Sequence, residues 1–233
     1  SKLLETWSRS AEWLHQHGAE IVDVAETELS LDLVQLALPS YYVLVSAEAS
    51  SNLSRYDGFR YGVAASSSCE NATRSEDESN NLEFTPLERQ YAASRSAGFG
   101  DEVARRILCG TSVLSSDRFH SHYEAAAKIR AALADELTTL LDKKVDTLLI
   151  PTVATIEPHL IEPGKEIDNT AVLATDVLTV PASLGGLPAV SVPVHHGSSD
   201  PFRAGMQLIG ARLREDVVLR AAKVLELMDD KTE

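Results

Sequence analysis

Three short stretches hold the residues that could do chemistry. The first is EASSNLSRYDG, residues 48–58, directly after the apolar run YYVLVSA. A serine nucleophile needs a base and an oxyanion hole, usually on a glycine-containing turn. Ser50, Ser51 and Ser54 have no glycine beside them before Gly58, and no GxSxG occurs in the chain. Serine and asparagine next to a helix readily cap it or bond nearby backbone, so the structural reading is preferred for all three serines.

The second stretch is DEVARRILCGT, residues 101–111. On a helix, one of two adjacent arginines, Arg105 or Arg106, can face a pocket while the other faces solvent. A buried guanidinium must be paired, and its planar fork suits a carboxylate ligand. Against this stands a helix salt bridge to Asp101 or Glu102, which spacing alone favours. The third stretch is LATDVLTVPASLGGLPAVSVPV, residues 173–194. Here Asp176 enters an apolar segment, as a residue of a pocket wall would; the alternative is a helix N-cap. Gly185-Gly186 permits close backbone approach but is weak evidence for phosphate binding.

The histidines do not form a metal site. His120 and His122 lie two apart on a predicted helix and point to different faces, and His195-His196 are neighbours at a strand end. The two cysteines, Cys69 and Cys109, occur without CxxC spacing and read as free thiols in a reducing compartment.

The elements that must position these residues read as an α/β fold. Leu3, Leu4, Trp7, Ala11 and Leu14 give a helix over residues 2–17 that stops at Gly18. GAEIVDVAE reads as a short strand, and residues 31–47 as a helix in two pieces broken at Pro39. Residues 63–83, Ser-rich and acidic, read as an exposed polar loop. Thr85-Pro86-Leu87-Glu88 is a capping box that opens a helix ending near Gly98. Helices follow over 101–114 and 117–141, the latter with Ile129, Leu133, Leu137 and Leu140 on one face. VDTLLIP reads as a strand buried on both faces, LPAVSVPV and AGMQLIG as two more, and a helix runs from Glu215 to about Met228. The sheet these four strands would form looks incomplete. The chain opens on Ser1 within a helical pattern, as a processed product or a piece of something longer would.

With 233 residues and 44 % hydrophobic composition, the chain can bury a sizeable core. Its net charge of −14 makes it a poor candidate for direct contact with a phosphate backbone, and no apolar run approaches a membrane span.

Several segments together resemble the C-terminal half of the amidase signature family: ALPSYYVLVSAEASSNLSRYDGFRYG, SRSAGFGDEVARRILCGTSVLS, VDTLLIPT, and DVLTVPASLGGLPAVSVPV followed by GMQLIG. They lie in the family's order over residues 1 to about 228. The first two are similar to the tRNA-dependent amidotransferase branch rather than to amidases at large. The resemblance implies one portion of a single amidase domain over residues 1–233. Its fold would be a mixed central sheet flanked by helices, with the N-terminal half and its catalytic segment missing. The family's nucleophile loop is a Gly/Ser-rich segment upstream, with a lysine and two serines, so EASSNLSRYDG is not that loop and no catalytic residue is expected in this chain. The resemblance carries three glutamine-binding residues onto Tyr41 of the SYY element, Arg106 and Asp176.

Further expectations rest on the same resemblance. The complete enzyme would take ammonia from L-glutamine and convert Glu-tRNA(Gln) to Gln-tRNA(Gln). A separate B-type amidotransferase chain would use ATP and Mg2+ and make the main tRNA contacts, and a small third chain would brace the complex. No cofactor, metal or membrane is expected for this chain. The polar segment 63–83 is longer than the compact bacterial version, PFRAGMQLIG departs from the usual P-I-G-L-Q pattern, and PTVATIEPHLIEPGKEIDNT departs from bacterial forms and is closer to organellar ones; together these imply a mitochondrial matrix location (cytoplasmic in a bacterium). The rival readings are an amidase acting on another small or fatty amide, and a non-catalytic fragment that only binds partners.

Overall fold

The structure is a computed structural model and describes residues 2–64, 84–154, 175–195 and 203–230. The chain forms two compact units, residues 1–41 with 126–233, and residues 42–125. The expected polar loop lies outside the described residues from 65 to 83; its first two residues, Val63 and Ala64, are exposed.

The first unit is built on a three-stranded sheet. Its strands are β1 (Thr147–Pro151), β2 (Ala189–His195) and β3 (Arg203–Gly210), in the order β1-β3-β2. Both pairings are antiparallel, with Leu149 opposite Leu208 and Val192 opposite Met206. A mixed sheet is expected from the resemblance, but no parallel pair occurs among the described residues. The link from β2 to β3 is too short for the crossover a parallel pair requires. β1, expected to be buried on both faces, has only Leu148 buried, because it stands at an edge of this sheet.

One sheet face packs on two helices, α1 (Lys2–Gln16) and α7 (Glu215–Asp230). Val192, Val194, Met206 and Leu208 meet Leu14, Val218 and Leu225 there. Two tryptophans of α1 tie the layer: Trp7 Nε1 donates to the Leu149 carbonyl at 2.9 Å and Trp13 Nε1 to the Val224 carbonyl at 2.8 Å. α1 stops as expected. Gly18 takes φ +97°, while Ala19 N bonds Leu14 O and Gly18 N bonds His15 O, a Schellman stop.

The segment GAEIVDVAE forms no strand. It leaves Ile21 and Val22 exposed, and a strand needs a neighbour to satisfy its backbone groups. The chain is pinned by side chains instead. Lys144 Nζ bonds Glu28 at 2.6 Å, and Glu136 accepts from Ser30 N at 2.8 Å. Helix α2 then runs unbroken from Leu31 to Leu53 with Pro39 inside it, in place of the two pieces expected. An internal proline costs about 3 kcal/mol, and the helix carries it without a break. Continuity puts Ser50 and Ser51 on a helix rather than in a loop.

Helix α5 (Glu124–Lys143) buries Leu133, Leu137, Leu140 and Leu141, and a π-helical turn at Phe119–Tyr123 precedes it where α-helix was expected. The short α6 (Val180–Gly185) ends at Gly186, φ +64°, in a second Schellman stop, with Leu187 N bonding Ala182 O and Gly186 N bonding Ser183 O. Gly185-Gly186 is therefore a helix terminator.

The second unit carries α3 (Pro86–Gly98) and α4 (Asp101–Val113) with the C-terminal part of α2. The capping box of α3 is complete: Thr85 Oγ1 accepts from Glu88 N, and Glu88 accepts from Thr85 N at 2.7 Å. Backbone and small residues approach closely here. A Cβ on Gly110 of α4 would stand 2.0 Å from the Ser46 carbonyl oxygen of α2, so only glycine fits. Arg95 clamps the chain after α2, donating to the carbonyls of Ser54 at 2.8 Å and Tyr56 at 3.1 Å.

Candidate functional site

The serines of EASSNLSRYDG bond their own helix. Ser50 Oγ donates to Ala47 O at 2.9 Å and Ser54 Oγ to Ser51 O at 2.6 Å. The carboxylate of that stretch is the engaged group. Asp57 Oδ1 accepts from the backbone N–H of Phe59, Arg60 and Tyr61 at 2.9, 2.9 and 3.2 Å, and Oδ2 from Arg60 Nε at 3.0 Å. The bonds from Phe59 N and then Arg60 N hold its carboxyl far below the usual range, against the opposing effect of burial. Such a carboxylate is a poor base. It fixes the turn after α2.

Of the three expected binding residues, Tyr41 and Asp176 lie in the first unit and Arg106 in the second. Tyr41 is half-buried on α2. Asp176 sits in a 3-10 turn, Thr175–Leu178, immediately before α6, and is also half-buried. Its carbonyl accepts from Thr179 N at 3.0 Å and from Thr179 Oγ1 at 3.1 Å. Thr179, not Asp176, occupies the N-cap position of α6.

A residue that sequence reasoning passed over reaches this turn. Gln207 of β3 donates from Nε2 to the Leu178 carbonyl at 3.0 Å and is only 4 % exposed. Its register partner on β2 is Ser191, and the Ser191 and Thr152 hydroxyls bond each other at 2.6 Å. Gly205 lies beneath that pair: a Cβ there would stand 2.8 Å from Thr152 Oγ1 and 2.9 Å from Ser191 Oγ. Thr152, Ser191 and Gln207 thus form a polar strip on the sheet face opposite Met206 and Leu208. The sequence signal was one amide inside the apolar run MQLIG.

In the second unit both arginines of EVARRIL pair with Glu102, the salt bridge that spacing favoured. Arg105 takes Oε2, and Arg106 Nε takes Oε1 at 3.0 Å. They differ in cover: the Arg106 side chain is 28 % exposed and that of Arg105 54 %. Arg106 also lies over the ring of Tyr42, 5.5 Å from its centroid, the second tyrosine of the SYY element. Glu102 occupies one edge of the guanidinium, whose five donors exceed what one carboxylate oxygen uses.

The histidines sit at the surface where described. His120 Nδ1 is 2.7 Å from Glu124, and His195 Nε2 accepts from Arg203 Nε at 2.9 Å; His196 lies outside the described residues. Among the described residues, no group of three metal-ligating side chains gathers, and no helix is long and apolar enough to cross a membrane. Cys109 is a free, exposed thiol; Cys69 lies outside the described residues.

The amidase family profile matches residues 2–219. The A-type chain of glutamyl-tRNA(Gln) amidotransferase from Bartonella bacilliformis is 38 % identical over 226 residues, covering 97 % of this chain and 41 % of that protein. Its counterpart from Rhizorhabdus wittichii is 44 % identical over 221 residues, covering 94 % and 40 %. The chain therefore spans about two fifths of the length of the curated relatives it matches. The solved A-type chain of glutamyl-tRNA(Gln) amidotransferase from Thermotoga maritima superposes with a TM-score of 0.59 at 28 % identity, over 96 % of this chain and 38 % of that one. A 6-aminohexanoate cyclic dimer hydrolase reaches a TM-score of 0.61 at 18 % identity, over 96 % and 40 % of the two chains, a likeness of fold alone.

Proposed function

The chain belongs to the amidase family and has the α/β fold of amidase signature enzymes, and from that premise we propose that it is the glutamine-gripping portion of an amidotransferase glutaminase. The observation that carries the reading is the run of relatives named as the A-type chain of glutamyl-tRNA(Gln) amidotransferase, matched over nearly the whole chain. The intact enzyme takes ammonia from glutamine and uses it to convert Glu-tRNA(Gln) to Gln-tRNA(Gln).

In this reading Arg106 pairs with the α-carboxylate of glutamine and Asp176 with its α-ammonium, while Tyr41 lines the pocket. A zwitterion clamp leaves the side-chain amide as the group presented for reaction, and an apolar amide would waste it. The lower exposure of Arg106 supports choosing it over Arg105. A serine attacks the amide carbon, ammonia leaves, and water hydrolyses the acyl-serine to glutamate. That serine and its lysine and serine partners belong to a Gly/Ser-rich segment of the intact glutaminase; none of the 233 residues supplies such a segment. This portion alone is therefore inactive.

ATP and Mg2+ belong to a B-type partner chain, which also carries the main tRNA contacts, as the acidic charge of this chain favours. A small third chain completes the complex. A mitochondrial location rests on the length of segment 63–83 and the organellar likeness of segment 151–170.

The test is amide transfer by the complex purified with its full-length glutaminase, given glutamine, ATP and Glu-tRNA(Gln). Gln-tRNA(Gln) and glutamate should form together. Glutamine hydrolysis without transfer, or neither, overturns the reading.

A further inference from the structure

We infer that Gln207 is a positioning residue, which holds the turn carrying Asp176 at the height the glutamine ammonium requires; the inference rests on the assignment of Asp176 proposed above. β3 is otherwise an apolar strand at this point. Met206, Leu208 and Ile209 are each at most 1 % exposed, and Gln207, on the face opposite Met206 and Leu208, is itself only 4 % exposed. An amide buried in such a strand must find a partner. The partner here is the carbonyl of Leu178, the last residue of the 3-10 turn Thr175–Leu178.

A turn of four residues has little of its own to fix it. The backbone bond from Thr179 N and the side-chain bond from Thr179 Oγ1 both end on the Asp176 carbonyl. They close the turn on itself, and its C-terminal side runs into α6, where Val180, Pro181, Ala182 and Leu184 are buried. Gln207 adds a direct side-chain bond between the turn itself and the central strand of the three, next to the Asp176 end of that packing. A shorter side chain on β3 would not reach, and an apolar one would leave the Leu178 carbonyl without this donor. The neighbouring Thr152–Ser191 hydroxyl pair, seated over Gly205, makes the rest of the strip polar, so the turn stands over a face of fixed hydrogen bonds. Displacing the Asp176 carboxylate by about 1 Å would lengthen its contact with an ammonium group without disturbing any reacting atom. The expected signature is weaker glutamine binding at unchanged chemistry.

The experiment compares Gln207→Met, Asp176→Asn and the double variant in the assembled enzyme with its full-length glutaminase. Methionine keeps the volume and removes the donor. Amidation of Glu-tRNA(Gln) is measured with glutamine and, separately, with free ammonium chloride, which bypasses the glutamine pocket. Gln207→Met should raise the glutamine KM by about tenfold, the effect of about one hydrogen bond, with kcat and the ammonia-driven rate little changed. The double variant should be no worse than Asp176→Asn alone, because both changes act on one contact.

Thr179→Val is the second variant if Gln207→Met does not fold, since it loosens the same turn and should raise KM in the same way. A raised KM for Asp176→Asn with none for Gln207→Met or Thr179→Val overturns the inference and leaves the Asp176 assignment standing. An unchanged KM for Asp176→Asn overturns both. A fall in the ammonia-driven rate equal to that with glutamine makes Gln207 merely structural and overturns the inference.

Discussion

In the first unit Met206, Leu208 and Leu225 lie fully buried between the sheet and its helices. In the second, the buried residues among those described are Ser46, Ala47, Asp57, Gly58, Ser94 and Gly110, none with a large apolar side chain. The second unit turns large side chains outward, Phe59, Tyr61 and Leu108 among them. Its interior is instead made of close backbone approach and of hydrogen bonds to carbonyls and carboxylates. A site carried by the first unit is held by packed area, which tolerates loss of atoms poorly. One carried by the second is held by contact distance, which tolerates gain of atoms poorly. The two amidotransferase-like stretches of the second unit, SNLSRYDGFRYG and SRSAGFGDEVARRILCG, are the partners in that close approach. A Cβ on Gly58 would stand 2.2 Å from Ser94 Oγ, and one on Gly98 2.3 Å from the Tyr56 hydroxyl.

That contrast can be broken by paired substitutions in the intact protein. The largest effect should come from removing atoms in the first unit. Leu225→Ala is expected to cost about 3 kcal/mol through lost transfer and a cavity, measured by urea unfolding. The next largest should come from adding one carbon in the second. Gly110→Ala puts a methyl against the Ser46 carbonyl and should cost about 2 kcal/mol, although alanine is the better helix former by about 1 kcal/mol. A neutral or stabilising Gly110→Ala would show that the second unit is not distance-limited there.

Smaller effects sharpen the comparison. Thr85→Ala removes the capping box of α3 and should cost about 1 kcal/mol, seen as faster amide exchange confined to residues 86–90. Asp57 should show itself as a pH window. Its carboxyl is held down in the folded state, chiefly by Phe59 N and Arg60 N, so its contribution is fully present above the unfolded value of about 3.9 and is lost as pH falls through the folded one. Protection of the Phe59, Arg60 and Tyr61 amides should therefore be full from neutral pH down to about pH 4 and decline progressively below it, as pH falls towards the folded value. Asp57→Asn should flatten that dependence, and an unchanged acid limb would remove Asp57 from the account.

Legibility in the sequence followed the range of the forces. Caps and stops are set within five residues, so Thr85 to Glu88 and Gly18 could be read directly. The i to i+4 spacing also exposed the pairing of Arg106 with Glu102. Strand formation depends on a neighbour, and GAEIVDVAE had the composition of a strand without one. Pro39 looked like a break because an internal proline usually ends or kinks a helix, yet α2 runs through it. Among the serines, aspartate and glutamine, the sequence offered types but not partners. The three backbone donors around Asp57 exist only once the turn has closed, and the reach of Gln207 to Leu178 spans 29 residues.

The central claim, that this chain grips glutamine, is tested most directly by Arg106→Ala in the assembled enzyme, with amidation driven first by glutamine and then by free ammonia. Losing a charge-assisted pair should raise the glutamine KM by roughly thirtyfold while the ammonia-driven rate stays near that of the unaltered enzyme. An unchanged glutamine KM would contradict the account and leave Arg106 as a helix salt bridge to Glu102.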